Sequence, residues 1–198
     1  MKTMTRKILT GLLILEFVTI TTSATYAQTK GELVLPESSV TVKGTSSLHD
    51  WEVFINNYKV DFTVEPEGNE KIKIENLNAV FEGASVSSES SLMTSKAQDA
   101  LKVKDFPEIV FTPAGTGEII IDGDNTKKSI PGELKIAGVS KKYNVTFSGS
   151  ISGKILTITG SNVISMGDFQ IKPPTAMLGA LKTGDQVTIE FNLKFRLD

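Results

Sequence analysis

The sequence predicts a mostly β fold, an antiparallel sheet closed on itself and accompanied by one or two short helices. Three observations carry this. Val187, Ile189, Phe191, Leu193, Phe195 and Leu197 alternate without a break with Thr188, Glu190, Asn192, Lys194, Arg196 and Asp198. One face of that strand is buried and the other is wet, as in an antiparallel rather than a parallel sheet. Two other segments switch the parity of their apolar residues midway, the mark of bulges that curve a sheet. One stretch, Ser90 to Lys102, has helical periodicity.

The first stretch is a targeting signal. Lys2, Arg6 and Lys7 precede a mostly apolar run from Ile8 to Ile20, broken by Glu16, and then small and hydroxylated residues ending in Thr25-Tyr26-Ala27. A basic start, an apolar run and a small-residue cleavage site make a secretory signal. The run falls short of the roughly 20 apolar residues of a spanning helix. Residues 1–27 are therefore expected to be a signal peptide and residues 28–198 the folded domain, with no stable membrane span left after cleavage. Its removal takes the 21 basic and 23 acidic residues to 18 and 22, a net charge of −4. No basic patch remains for nucleic acid.

The strands follow. Val40 and Val42 alternate with Thr41 and Lys43. Trp51, Val53 and Ile55 are odd, but after Asn56-Asn57 the apolar set is Tyr58, Val60, Phe62 and Val64. Ile72 and Ile74 are even, but after Asn76 the set is Leu77, Ala79 and Phe81. A bulge at Asn56-Asn57 and another near Asn76 absorb the slip; the alternative is that each segment is two short strands. Leu134 and Ile136, then Tyr143, Val145 and Phe147, again alternate with polar residues. The final strand pairs with Lys154–Ser165 or with the first strand. Turns are expected at Glu65-Pro66-Glu67-Gly68-Asn69, Asp122-Gly123-Asp124-Asn125 and Ser152-Gly153-Lys154.

In the helical stretch Met93, Ala97, Ala100 and Leu101 share a face, Ser90 or Ser91 caps the start, and Phe106-Pro107 bars any continuation. A second short helix is expected at Thr175 to Leu181. Closing the sheet removes the edges that such long amphipathic strands would expose.

Composition agrees. A chain of 198 residues, 39% hydrophobic and 22% charged, is an ordinary single globular domain. It can bury roughly 70% of its unfolded surface, enough to do without a staple. With no Cys and one His, thiolate chemistry and multi-histidine metal sites are excluded.

Motifs that suggest chemistry mostly fail. His49-Asp50 invites a hydrolase reading, but no Gly-x-Ser-x-Gly elbow accompanies it, and Ser148-Gly149-Ser150 is out of pattern. Gly149 to Lys154 is one residue short of a phosphate loop, with Ile155 where a hydroxyl belongs. Asp122-Gly123-Asp124-Asn125 lacks the closing Glu of a calcium loop. Asn144-Val145-Thr146 fits a glycosylation acceptor but lies in a strand. What remains is apolar volume: Phe62, Phe81, Phe111, Phe147, Phe191 and Phe195. They either fill a core or line a barrel that holds one small molecule. Composition leaves both open.

Four stretches resemble the YceI-like family of exported bacterial proteins. They are Ser39 to Trp51, ending in Leu48-His49-Asp50-Trp51; Met93 to Phe111, with Phe106-Pro107-Glu108-Ile109-Val110-Phe111; Gly132-Glu133-Leu134-Lys135-Ile136-Ala137-Gly138-Val139-Ser140-Lys141; and Met166 to Thr175, followed by Gly184-Asp185. Gln170 stands where the family pattern has Gly. The resemblance implies an eight-stranded, lipocalin-like antiparallel barrel, a periplasmic address, no catalytic residues, no cofactor, and a polyisoprenoid or prenylquinone lipid as ligand. It leaves room for a homodimer. On this reading the cavity wall is built from Val53, Phe62 and Phe81, from Met93, Leu101 and Phe106, from Phe111, Ile136 and Phe147, and from Phe169, Met177 and Phe191. Ordinary core packing is the alternative for each. Met93 and Met177 would make a soft wall. His49, Trp51 and Asp168 are weaker expectations for polar groups near the opening. The alternative function is a non-catalytic exported scaffold or stress-related interaction module with a filled barrel.

Overall fold

The computed structural model describes residues 29–67, 71–115, 118–122, 127–176 and 181–197. The segment read as a signal peptide lies outside them. The strands are β1 (Thr29–Leu33), β2 (Ser39–Ser46), β3 (Trp51–Ile55), β4 (Tyr58–Pro66), β5 (Ile72–Glu82), β6 (Val86–Ser87), β7 (Glu108–Pro113), β8 (Ile119–Ile121), β9 (Lys127–Ile136), β10 (Val139–Ser152), β11 (Ile155–Ser165), β12 (Thr175–Ala176) and β13 (Leu181–Leu197). One helix, α1 (Ser91–Ala100), stands between β6 and β7.

These segments make a closed eight-stranded antiparallel barrel. Several staves are assembled from two segments: β1 with β2, β3 with β4, β5 with β6 and β7 with β8. Each stave pairs with its sequence neighbour. The last, β13, pairs with β11 from Ser165↔Gln186 to Ile155↔Arg196. Its other edge meets both β2, with Phe191 opposite Val40, and β1, with Gly31 opposite Leu197. Both mates expected for the final strand are therefore used, and together they close the sheet.

The period-two pattern dictates what faces inward. In β9 every second residue from Ile130 to Ile136 is buried and the intervening ones are exposed. The parity switches have different structures. Near Asn76 the β4–β5 register slips between Asp61 and Thr63, and Asn76 itself has φ +56°, so a bulge carries the extra residue. At Asn56-Asn57 the stave is broken into two strands, and the bulge expectation is corrected. The neighbouring stave is interrupted at the same level by a 3-10 turn, Gly83–Ser85. The Asn56 side chain donates to the Ser85 carbonyl at 2.8 Å, and the Asn57 backbone N–H donates to the Ser85 hydroxyl at 3.0 Å. Side chains thus replace ladder bonds where two broken staves meet.

The helix is capped by Ser90, whose hydroxyl accepts from the Met93 N–H at 3.3 Å. It stops at Ala100, ahead of Phe106-Pro107, because Lys102 turns left-handed with φ +54°. Met93, Ala97, Ala100 and Leu101 pack against the core, so α1 lies across one end of the barrel. Gln98 ties it to β6 through the Val86 carbonyl at 3.0 Å, and Lys96 ties it to β12 through the Thr175 carbonyl at 2.7 Å. The second helix expected at Thr175 to Leu181 is not formed at its ends. Thr175 and Ala176 pair as a strand with Lys182 and Leu181. The hairpin expected at Ser152-Gly153-Lys154 is present, with Gly153 at φ +58°. The phosphate-loop look-alike is ordinary strand and turn. Gly123 to Asn125 lie outside the described residues, and the Asp122 carboxylate pairs with Lys128 at 3.1 Å.

Candidate functional site

The phenylalanines do not fill the barrel. A Cβ added to Gly31 would stand 2.2 Å from Cζ of Phe62, and one added to Gly160 would stand 2.2 Å from Cζ of Phe191. The tip of each ring therefore takes the place that a side chain on the neighbouring strand would occupy. The barrel axis is left free. The result is a cavity of about 440 Å³ with almost wholly apolar walls, within the size range of small-molecule pockets.

Of the wall residues expected from sequence, Val53, Phe62, Phe81, Met93, Leu101, Phe111, Ile136, Phe147 and Phe191 line this cavity. Phe106 does not. It is exposed, and its ring covers Gly138 in the β9–β10 turn. Phe169 does not either; it is 2% exposed but buried behind the wall, within the 3-10 turn Gly167–Phe169. Met177 lies outside the described residues.

One end of the cavity is shut. Phe62 and Phe195 meet edge to face with centroids 4.8 Å apart, and Leu156, the register partner of Phe195, has no exposure at all, nor has Ile121. The other end is open. Leu48 and His49 of the β2–β3 turn, Ser90 and Leu92 at the start of α1, and Thr175 and Lys182 of the β12–β13 hairpin form its rim. Leu48 and Leu92 are 66% and 64% exposed.

Polar atoms on the wall are already committed. The Asn162 amide donates to the Thr146 carbonyl at 2.9 Å and accepts its N–H at 2.8 Å. The Tyr143 hydroxyl donates to the Val163 carbonyl at 2.9 Å. Tyr58 is different: its hydroxyl is buried without a partner among the described residues, and burial pushes its phenol above the usual range. It sits beside Phe81, off the cavity wall.

His49 and Trp51 line the mouth, but Asp168 is exposed and does not. No triad is assembled at His49. Its Nδ1 lies 2.6 Å from the Asp50 backbone carbonyl, and the nearby Ser46 hydroxyl donates to the His49 carbonyl at 2.7 Å. Among the described residues no cluster of three or more metal-ligating side chains occurs. The Trp51 indole donates to the Thr45 carbonyl at 3.0 Å, which fixes the turn that carries Leu48 and His49. Leu48 and Lys96 belong to the family-like stretches, but none of Leu48, Leu92, Lys96 and Lys182 is among the wall or mouth residues expected from sequence. The signal for the leucines is local: each follows a pair of serines, in Ser46-Ser47-Leu48 and Ser90-Ser91-Leu92.

The sequence matches the YceI-like domain over residues 16–195. The chain belongs to the YceI-like family. No curated protein matches it. Its fold is similar to that of a polyisoprenoid binding domain from Saccharophagus degradans implicated in plant cell wall breakdown, at 12% identity and TM-score 0.64, covering 87% of this chain and 100% of that one. It is also similar to BcnA of Burkholderia cenocepacia, at 17% identity and TM-score 0.62, covering 82% and 99%. The YceI protein of Campylobacter jejuni is similar at 21% identity and TM-score 0.57, covering 74% and 84%. In this YceI-like barrel all four resembling stretches meet at the open end: the Leu48–Trp51 turn, α1 with its exit loop, the β9–β10 turn, and Met166 to Thr175. Gln170 has φ +55°, which explains why glycine is the residue expected there.

Proposed function

We propose that this protein is exported and sequesters or carries a polyisoprenoid or prenylquinone lipid, with the apolar tail inside the barrel and no catalysis. The observation that carries the reading is the cavity: closed at the floor, open at the mouth, and lined by hydrocarbon whose few polar atoms are already bonded. Such a wall rewards a tail and ignores its functional groups. Each methylene moved from water into it contributes about 0.8 kcal/mol, so a prenyl chain needs no charge pairing to bind. The polyisoprenoid binding named for the Saccharophagus relative supports the ligand class, and the leader-like residues 1–27 support a periplasmic address. A filled barrel acting only as a scaffold is disfavoured by the same cavity.

The test is organic extraction of protein gently purified from the native host, followed by mass spectrometry. A stoichiometric prenyl lipid is expected. Protein that yields none, and that takes up none when offered, would end the carrier reading. Amino-terminal sequencing of the periplasmic fraction should find the mature chain beginning at Gln28.

A further inference from the structure

The charged residues that reach the cavity are all of one sign. Lys96 and Lys182 line its mouth together with the lone histidine, His49, and no Asp or Glu does so among the described residues. The carboxylates of this end face away. Asp50 and Asp185 border a separate groove on the outer surface, where Asp185 is held by the Ser165 hydroxyl and accepts the Gly167 N–H at 2.9 Å. The two cations on the cavity rim thus meet no carboxylate there.

The three inward groups are drawn together by backbone. Lys96 Nζ donates to the Thr175 carbonyl at 2.7 Å, and Thr175 is the register partner of Lys182. The Lys182 N–H donates to the Ser47 hydroxyl at 3.1 Å, and its carbonyl accepts the Ser47 N–H at 3.0 Å. Ser47 precedes Leu48 and His49. Helix, hairpin and turn therefore converge on one patch of the rim. Neither Lys96 nor Lys182 makes an ion pair with any described residue, and among the described lysines without one they are the two that line the cavity. An ammonium ion without a carboxylate, at the edge of a low-dielectric cavity, is suited to an incoming anion. Helix α1 begins on the same rim, and the positive end of its dipole adds the same sign.

We infer that the rim is a head-group site: Lys96 and Lys182 select tails that end in an anion, a phosphate or carboxylate, over neutral tails of equal length. The inference rests on the reading that the cavity holds a lipid tail. It narrows the ligand class, because a wall with no free polar atoms discriminates tails and the rim discriminates ends.

The test titrates the full mature protein with geranylgeranyl phosphate, geranylgeraniol and inorganic phosphate. The single tryptophan, Trp51, lies on the mouth and reports binding by its fluorescence. The wild type is expected to bind the lipid phosphate roughly tenfold to a hundredfold more tightly than the alcohol, and the preference should shrink as salt is raised. In K96Q/K182Q the ratio of the affinities for the phosphate and the alcohol should fall to about one. Equal wild-type affinity for the two lipids overturns the inference and leaves the lipid reading standing. So does a preference that survives in the double variant. Inorganic phosphate that binds as tightly as the lipid phosphate would make this a free-anion site and overturn the inference too. Binding of neither lipid sinks the carrier reading itself. Should the double variant misfold, K182Q alone serves, since the Lys182 ammonium bonds nothing in the described structure.

Discussion

At the floor of the barrel Phe62 meets Phe195 edge-on and Ile121 and Leu156 are wholly enclosed, whereas at the mouth Leu48 and Leu92 stand mostly in water. The backbone differs in the same sense. The floor hairpin turns left-handed at Gly153, while at the mouth Lys102, Ala137 and Gln170 take such conformations alongside Gly138. Left-handed geometry costs a residue with a Cβ roughly 1–2 kcal/mol. The floor is thus built from burial, and the mouth carries both backbone strain and uncovered apolar surface. Stability and recognition are assigned to opposite ends of one sheet.

That division can be broken at the floor first. Phe195→Ala should lower the unfolding free energy by about 3–5 kcal/mol in urea titrations, since the ring is buried and its partner ring is left against a void. A loss below about 1 kcal/mol would show that the floor does not hold the barrel together. Gly31→Ala should follow, with about 1–3 kcal/mol, because the new methyl overlaps the Phe62 ring. Phe62 lines the cavity, so displacing its ring should lower extractable lipid as well; unchanged lipid content would contradict the idea that glycine keeps the axis clear. At the mouth, Gln170→Gly should raise stability by about 1 kcal/mol by relieving the left-handed residue. A drop in melting temperature instead would mean the Gln170 side chain does something its geometry hides. Smallest is the double change Leu48→Ser with Leu92→Ser. Stability should move by less than about 0.5 kcal/mol, as for other surface positions. Stopped-flow uptake of a prenyl lipid should slow. An effect on unfolding as large as that of Phe195→Ala would erase the contrast between the ends.

The fold was largely readable because alternation is a local signal. Val187 to Leu197 states its own buried face, and Asn76 announces its bulge by the parity change around it. The break at Asn56-Asn57 was misread because it depends on a 3-10 turn in a different stave, which period-two counting cannot see. At the described ends of the helix expected at Thr175 to Leu181, strand pairing with Lys182 and Leu181 outweighs local helical propensity for a related reason. The cavity itself was not readable. Six phenylalanines pack a core or line a tunnel with equal ease, and what decides is that Phe62 and Phe191 lie across Gly31 and Gly160, a relation between residues far apart in sequence. Phe106 and Phe169 were placed on the wall by their chemistry alone, and each covers a neighbouring segment instead. Lys96 and Lys182 look like ordinary surface lysines until the hairpins bring them to one rim.

The meander leaves a single long-range seam, where β1 and β2 meet β13. Every other stave finds its partner next along the chain, so most of the sheet can zip up as it is made. The seam cannot form before the last strand arrives. Until then the nascent sheet has two unpaired edges and an uncovered greasy concave face, a state that sticks to its own kind. Damage to the final strand should therefore appear as clumping during synthesis rather than as weakened ligand capture.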